Sequence, residues 1–360
     1  MKQSDNKEEI LVINPGTTST KFAVYSGEEL VFKQIEEHAA AETEKFERLI
    51  DQCQYRLDFI LAALQERGIA LSVFKAVVGR GGLLKPLKGG TYRVNQLMLQ
   101  DLRKAEWGEH VANLGAIMAY ALAQHLQIPA FVVDPVSVDE LEPVARISGL
   151  PDLERVSLSH ALNMKAVARK AAGVIGRSYQ EVNFIVAHLG TGISVSAHQH
   201  GRMIDVNNAM DEGPLSPDRC GGLPAKQLVK LCYSGKYTCD ELEDKLAGQG
   251  GIYAYIGTKN IREVEKLAGQ GEKQAELVLA ALVYQVAKEI GSMAAVLTGA
   301  VDQIILTGGI AYSSRIVSDI KARVQFIAPI MVIPGEEELE ALALGALRVL
   351  RNEERAQVYC

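Results

Sequence analysis

The sequence predicts an α/β protein made of two similar halves, and three observations carry that reading. Short apolar runs suited to buried strands alternate with amphipathic helical segments along the whole chain. Gly16 lies eleven residues before Gly27, and Gly190 lies eleven residues before Gly201, each pair spanning a loop, a strand and a turn. Both leading glycines follow an apolar strand and precede a threonine, Thr17 or Thr191. A second echo pairs "VVGRGGL" (77–83) with "ILTGGI" (305–310). Such repetition suggests two α/β halves, each with a glycine-bearing β-hairpin, facing one another across a cleft.

The elements follow in order. Ile10–Ile13 and Lys21–Tyr25 read as strands flanking the loop "NPGTTSTK" (14–21), and Leu30–Gln34 as a third strand. Phe46, Leu49, Ile50, Cys53, Leu57, Ile60, Leu61 and Leu64 recur at helical spacing, which predicts a helix from about Glu42 to Arg67 closed by Gly68. "AVVG" (76–79) and "AFVVD" (130–134) are buried strands around the helix "HVANLGAIMAYALAQHL" (110–126). "FIVAHLGTGISVSAHQHG" (184–201) reads as strand, loop, strand and turn. "QIILTGG" (303–309) is a strand running into a glycine pair, and "SSRIVSDIKARV" (313–324) is a helix begun by serine caps. "ELVLAALVYQVAKEIG" (276–291) is broken by Gln285, Lys288 and Glu289, so it is expected as a core helix rather than a membrane span.

A chain of 360 residues is too long for one small core, so two domains are expected. A net charge of -6 with scattered Lys and Arg argues against a nucleic-acid or anionic-membrane partner, because no basic surplus exists to neutralise phosphates. Five cysteines without CxxC spacing suit reduced, mostly buried thiols in a cytoplasmic protein. The polar start "MKQSDNKEE" is unlike a signal peptide. His198, Gln199 and His200 resemble a metal pair but lack acidic or cysteine companions, so an exposed turn is expected there.

The two glycine loops point to phosphate. The first is not a Walker A loop, because no glycine precedes Lys21 and a strand-like pattern follows it. "GTG" at 190–192 lacks the third glycine of a dinucleotide fingerprint and also runs into a strand. Both are strand–turn–strand units, in which backbone N–H groups and hydroxyls can cradle an anion. Ordinary hairpin turns would look the same singly; the repetition favours function.

"INPGTTSTKFAVY" and "AHLGTGISVSAHQHGRMIDV" resemble the acetate and butyrate kinase family, within the actin-like, sugar-kinase-like ATPase superfamily. "VVGRGGLLKPLKGGTYRVN", "WGEHVANLGA", "ERVSLSHALNMKAVA", "DEGPLSPDRCGGLP", "ILTGGIAYSSRI" and "PGEEELEALALGALRV" are similar to its butyrate kinase branch, in order through nearly the whole chain. The resemblance implies two duplicated actin-like (ribonuclease H-like) domains with mixed sheets flanked by helices around a nucleotide cleft. It places an acyl and phosphoryl side in residues 1–155, joined by a C-terminal helix 338–356, and a nucleotide side in 156–337.

The implied activity is reversible, in-line transfer from ATP to butyrate or a similar short carboxylate, with Mg²⁺, giving an acyl phosphate. Such an enzyme takes small-molecule substrates and forms a dimer or larger homo-oligomer. An acetate, propionate or branched-chain acid kinase would differ in pocket volume. An actin-like or chaperone-like ATPase would not need paired arginines aimed at an acceptor anion.

By the resemblance, Asn14 and the hydroxyls of Thr17 and Ser19 orient the transferring phosphoryl group or the metal waters, Lys21 adds positive charge, and Arg80 binds the carboxylate or the transferring group. Arg219 stabilises the equatorial oxygens, His160 hydrogen-bonds the phosphoryl group, and Asp134 serves catalysis as a metal or arginine positioner. Gly190, Thr191 and Gly192 hold the nucleotide's β- and γ-phosphates, and Gly308 and Gly309 let the adenosine lie against backbone; His188 sits in a matching nucleotide-binding motif, with a structural role equally open. His110 sits in a matching motif, with a structural role equally open. Glu337 and Glu338 lie near the nucleotide or are charges at a helix start. Tyr312 replaces a glutamate that acetate kinases associate with magnesium, and Thr191 replaces an asparagine.

Overall fold

The computed structural model describes residues 8–360. Residues 1–7, and with them most of the polar start read as unlike a signal peptide, lie outside the described residues. The chain divides into two units, one running to Val138 and taking in Glu337–Cys360, the other Asp139–Glu336.

In the first unit the apolar run "ILVI" becomes the centre of β1 (Glu9–Pro15), buried on both faces. It pairs antiparallel with β2 (Ser19–Ser26), which pairs antiparallel with β3 (Glu29–Glu37). On its other side β4 (Phe74–Gly79) runs parallel to β1. β5 (Thr91–Arg93) lies antiparallel beside β6 (Ala130–Val133), which is parallel to β4. The short strand Gln357–Val358 completes the sheet next to β5. The helices Asn113–Leu126 and Glu338–Leu350 pack on β1, β4 and β6.

The second unit contains β7 (Asn183–Leu189), β8 (Ile193–Gln199), β9 (Arg202–Val206), β10 (Gln303–Gly308) and β11 (Ile330–Pro334), in sheet order β11-β10-β7-β8-β9. Strand order and direction repeat the β6-β4-β1-β2-β3 part of the first sheet. The glycine echoes therefore occupy equivalent places. Gly27 (φ 58°) and Gly201 (φ 83°) turn the chain after β2 and β8, where a left-handed backbone favours glycine. Gly79 and Gly308 end β4 and β10.

Close backbone approach explains those last two glycines. A Cβ on Gly79 would lie 2.0 Å from the carbonyl oxygen of Gly115, at the start of the helix Asn113–Leu126. A Cβ on Gly308, itself at φ 87°, would lie 2.4 Å from the Leu189 oxygen at the end of β7.

Several expectations change. The helix foreseen over 42–67 is interrupted: Ala40–Thr43 is a short helix, Leu49–Gln52 a 3-10 turn, and Cys53–Glu66 the main helix. Arg48 is extended (φ -126°, ψ 148°), and the Leu49 N–H donates to Glu109 at 3.1 Å instead of continuing a helical ladder. The domain boundary expected at 155 falls at 138/139. Arg155 reaches Glu212 at 3.0 Å and Asp205 at 3.1 Å, and Glu140 accepts from Lys165 at 2.7 Å, which ties 139–155 to the second unit. The terminal helix ends at Leu350, before the expected 356.

The cysteines are free, but Cys232, Cys239 and Cys360 are exposed and none is fully buried, contrary to the expected buried thiols. The helix Lys273–Val296 is long and apolar enough to cross a membrane by length and composition, despite its charges. In this fold Val278, Leu282, Val283, Val286 and Ile290 bury its stripe in the core of the second unit.

His198 corrects another expectation. It is fully buried on β8, not exposed; its Nδ1 lies 2.6 Å from the Tyr179 hydroxyl and its Nε2 2.7 Å from Ser196 Oγ. Burial first, then the charges of Lys165 and Arg169, hold its pKa well below 6.5.

Two outcomes follow from this packing. Gly308→Ala should lower stability by about 1–3 kcal/mol or more, through overpacking on the Leu189 carbonyl and strain at positive φ, measured as a lower denaturation midpoint at unchanged m. The unfolded chain protonates His198 near 6.5 and the folded chain does not. Its contribution is therefore complete above 6.5 and is lost as pH falls toward the depressed folded value. A His198→Gln variant that keeps the fold should show a shallower loss of thermal stability below pH 6.5 than the parent chain, measured by melting curves across acid pH.

Candidate active site

In the first unit, three residues distant in sequence meet where β1 and β4 end. Asn14, on β1, donates from Nδ2 to Glu338 Oε2 at 2.7 Å. Arg80, just past β4, is ion-paired with Glu338 Oε1, and its backbone N–H donates to the Ile13 carbonyl at 2.9 Å. The flanking glycines of "GRGG" set this backbone: a Cβ on Gly81 would fall 2.4 Å from Pro135, and one on Gly82 2.1 Å from Asn113. Glu338 opens the helix Glu338–Leu350, where its charge suits the helix dipole.

Lys21 faces Asn14 in the β1–β2 register, which puts both side chains on one side of the sheet, and Lys21 is exposed. Thr17 stands exposed in the turn and Ser19 begins β2. Beneath this turn lies Arg56, fully buried, with its guanidinium on the carbonyls of Gly16, Thr17 and Ser19.

Asp134 lies buried at the end of β6 with φ 38°. Its Oδ1 accepts from the Gly90 N–H at 2.6 Å, and its own N–H donates to the Gly90 carbonyl at 3.0 Å, closing the turn into β5. His110 Nδ1 accepts from the Ala112 N–H at 3.1 Å; burial, then the charge of Arg80, lowers its pKa.

The second unit holds the other expected residues. His160 and His188 stack with ring centroids 3.9 Å apart and planes 9° from parallel. His160 Nδ1 lies 3.0 Å from Ser194 Oγ, and His188 Nδ1 lies 2.9 Å from Asn163 Nδ2. Asn163 also reaches Thr307 Oγ1 at 3.2 Å, and Glu336 Oε1 lies 3.1 Å from His188 Nε2. His160 is thus oriented by Ser194 on β8, and His188 by Asn163 on the helix Ala161–Val174 and by Glu336 beyond β11.

The "GTG" loop is shaped by what lies behind it. A Cβ on Gly192 would fall 2.6 Å from Arg219 Nη1, so the missing side chain is the space the guanidinium fills. Arg219 donates to the Ala209 carbonyl at 3.2 Å and stands 3.9 Å from Asp218. Burial lowers its pKa against the opposing charge of Asp218. Ser216 Oγ donates to the Thr191 carbonyl at 2.5 Å and accepts from the Arg219 N–H at 3.2 Å, which joins loop and arginine.

A cavity of about 400 Å³ opens against this loop. Gly190 and Thr191 form one wall, Gly309, Tyr312 and Ser313 another, and the charged lining residues are Lys259, Arg262, Glu265 and Glu336. The size suits a small organic ligand such as a nucleotide, and the glycines and cations suit its anionic part. Gly309 meets nothing within 4 Å of an added Cβ, so it leaves open space, whereas Gly308 serves packing on β7.

Arg56 and Glu336 escape a reading of the sequence. Arg56 sits among apolar residues at helical spacing, and Glu336 lies in an acidic run that reads as a helix start. Lys259 and Arg262 carry no motif at all; only the fold brings them to the cavity. Among the described residues no three His, Cys, Asp or Glu side chains gather as a metal site.

The Gly192–Arg219 contact yields a direct test. Gly192→Ala should displace the guanidinium while leaving the melting temperature within a few degrees, and should lower the rate of the catalysed reaction by about 10²-fold. Unchanged turnover in the folded variant would show that Arg219 placement is unimportant.

The chain is similar in fold to Porphyromonas gingivalis acetate kinase, with TM-score 0.79 and 18% identity over 95% of this chain and 100% of that one. It is also similar to a propionate kinase from Francisella tularensis subsp. tularensis SCHU S4, with TM-score 0.73 and 20% identity over 93% and 98% of the two chains. For Entamoeba histolytica acetate kinase the TM-score is 0.76, with 16% identity over 94% and 98%. A sequence model of the acetokinase family matches residues 157–336, which is half of the chain and includes His160, the "GTG" loop, Arg219 and the whole cavity lining. With that match, the chain belongs to the acetokinase family, whose members are carboxylate kinases.

Proposed function

We propose that the protein transfers the γ-phosphoryl group of ATP to butyrate or a closely related short-chain acid, reversibly, giving ADP and an acyl phosphate. The observation that carries this reading is the cavity between Gly190–Thr191 and Gly309–Ser313, with Lys259 and Arg262 at its wall and Arg219 behind Gly192. The butyrate assignment within the family rests on "VVGRGGLLKP" and "GGIAYSS", which differ from the acetate kinase pattern.

In the proposed reaction a carboxylate oxygen attacks the γ-phosphorus, the bond from phosphorus to the bridging oxygen breaks, and its electron pair leaves on ADP. A carboxylate is already nucleophilic, so no general base is needed. The obstacle is repulsion between two anions, which fixed cations must relieve. Arg80 has the planar fork to pair with the acceptor carboxylate or the transferring group, and Arg219 to pair with the equatorial oxygens. Asn14, Thr17, Ser19 and Lys21 supply further donors at the first turn. His160, held by Ser194 and by stacking on His188, would donate to the phosphoryl group. Gly190, Thr191 and Gly309 would line the nucleotide.

Among the described residues no three His, Cys, Asp or Glu side chains gather to form a magnesium cage. The ion would be held mainly by ATP oxygens and water, with Asp134 nearby, buried at the end of β6 and accepting from the Gly90 N–H through Oδ1.

Hydroxamate trapping of the acyl phosphate with acetate, propionate, butyrate, isobutyrate and valerate should give its highest kcat/KM with a four- or five-carbon acid. A best rate with acetate would overturn the butyrate assignment. ATP hydrolysis indifferent to every acid would instead favour an assembly-type ATPase. Arg80→Ala and Arg219→Ala should each lower acyl phosphate formation by about 10³-fold or more while the chain stays folded. Near-parental rates in both would refute the site.

A further inference from the structure

Arg56 lies near the start of the helix Cys53–Glu66, with no exposed surface. Its hydrogen bonds go to neutral oxygens: Nη1 donates to the carbonyls of Gly16 at 2.9 Å and Ser19 at 3.1 Å, and to Thr20 Oγ1 at 3.0 Å. Nη2 donates to the Thr17 carbonyl at 3.3 Å and to Gln52 Oε1 at 2.8 Å, and Nε donates to the same Gln52 oxygen at 3.1 Å. The Thr18 carbonyl is engaged too, by the His38 N–H at 2.7 Å. Burial lowers the Arg56 pKa, opposed by Tyr55 and Cys53.

The carbonyls of Gly16 and Thr17 are therefore drawn inward onto one guanidinium. A trans peptide is planar, with its N–H directed opposite to its C=O. The N–H groups of Thr17 and Thr18 must then face away from Arg56, on the outer side of the turn. Both residues are exposed, and among the described residues neither N–H meets a backbone or side-chain acceptor. Two adjacent outward donors above an uncancelled positive charge have the makings of an anion nest.

We propose that Arg56 is a positioning residue that holds the Thr17 and Thr18 N–H groups outward as donors to a phosphoryl oxygen. The phosphoryl group as ligand rests on the kinase reading above. Arg56 touches no substrate; it acts through the turn. The fork matters as well as the charge, because one guanidinium spans three carbonyls that a point-charged ammonium cannot hold together.

The test titrates ¹⁵N-labelled protein with inorganic phosphate and follows the Thr17 and Thr18 amide signals, alongside steady-state kinetics of acyl phosphate formation. In the parent chain both amides should shift on phosphate addition. In Arg56→Gln that response should vanish and kcat should fall on the order of 10²-fold, with KM for ATP changed only severalfold. Arg56→Lys, which keeps charge and loses the fork, should retain at most a tenth of the parental kcat. If Arg56→Gln does not fold, Gln52→Ala removes the side chain that orients the guanidinium and should lower kcat by about 10-fold.

Amides that ignore phosphate in the parent chain, or a folded Arg56→Gln with parental kcat, would overturn the proposal, as would an unaffected Gln52→Ala. A parent chain that makes no acyl phosphate while its Thr17 and Thr18 amides answer phosphate would sink the kinase reading and leave the anion nest standing.

Discussion

Backbone packed directly on backbone at the ends of the central parallel strands is the constraint on which each unit depends. In the first unit Gly79 lets β4 finish against Gly115, and in the second Gly308 lets β10 finish against Leu189. These contacts admit no side chain. They set the height at which each strand gives way to the next loop, and hence where Arg80 and the Gly309–Ser313 wall begin. A methyl group at either position would shift the functional groups that follow as well as weaken the sheet.

Around that frame, the polar side chains of the site are placed by fixed partners within their own unit. Arg219 is held by the Ala209 carbonyl and by the space left at Gly192; Arg56 is held by turn carbonyls; His188 is held by Asn163. Arg80 is ion-paired with Glu338, and Arg219 also stands 3.9 Å from the Asp218 carboxylate. Preorganised groups of this kind suit the proposed phosphoryl transfer, which asks for position and charge neutralisation more than for covalent chemistry. The exposed Lys21 and the cavity-lining Arg262 are less confined and suit contact with a mobile anion, whereas Lys259 is ion-paired with Asp218 at 3.3 Å.

Much of the fold was legible because its signals are local. Apolar strands, the glycine turns at Gly27 and Gly201 and the serine cap at Ser313 each express a backbone preference within a few residues. The duplicated strand order matches the spacing of the glycine echoes. The misread stretches were those where distant groups decide. The helix expected over 42–67 breaks because Glu109 captures the Leu49 N–H, and His198 is buried because Tyr179 and Ser196 satisfy its ring. Residues 139–155 join the second unit through ion pairs to partners as far along the chain as Glu212.

By itself the sequence determined the α/β class, the two glycine hairpins and the residues that resemble a carboxylate kinase, because these depend on local periodicity and on residue type. Only the tertiary structure decided that Asn14, Arg80 and Glu338 meet, that Gly308 packs rather than lines the cavity, and that Lys259 and Arg262 reach it. It likewise decided that Arg56 turns the amides of the first loop outward. Such facts depend on which backbones approach closely and which buried donors find acceptors, and those are settled by contacts between residues far apart in the chain.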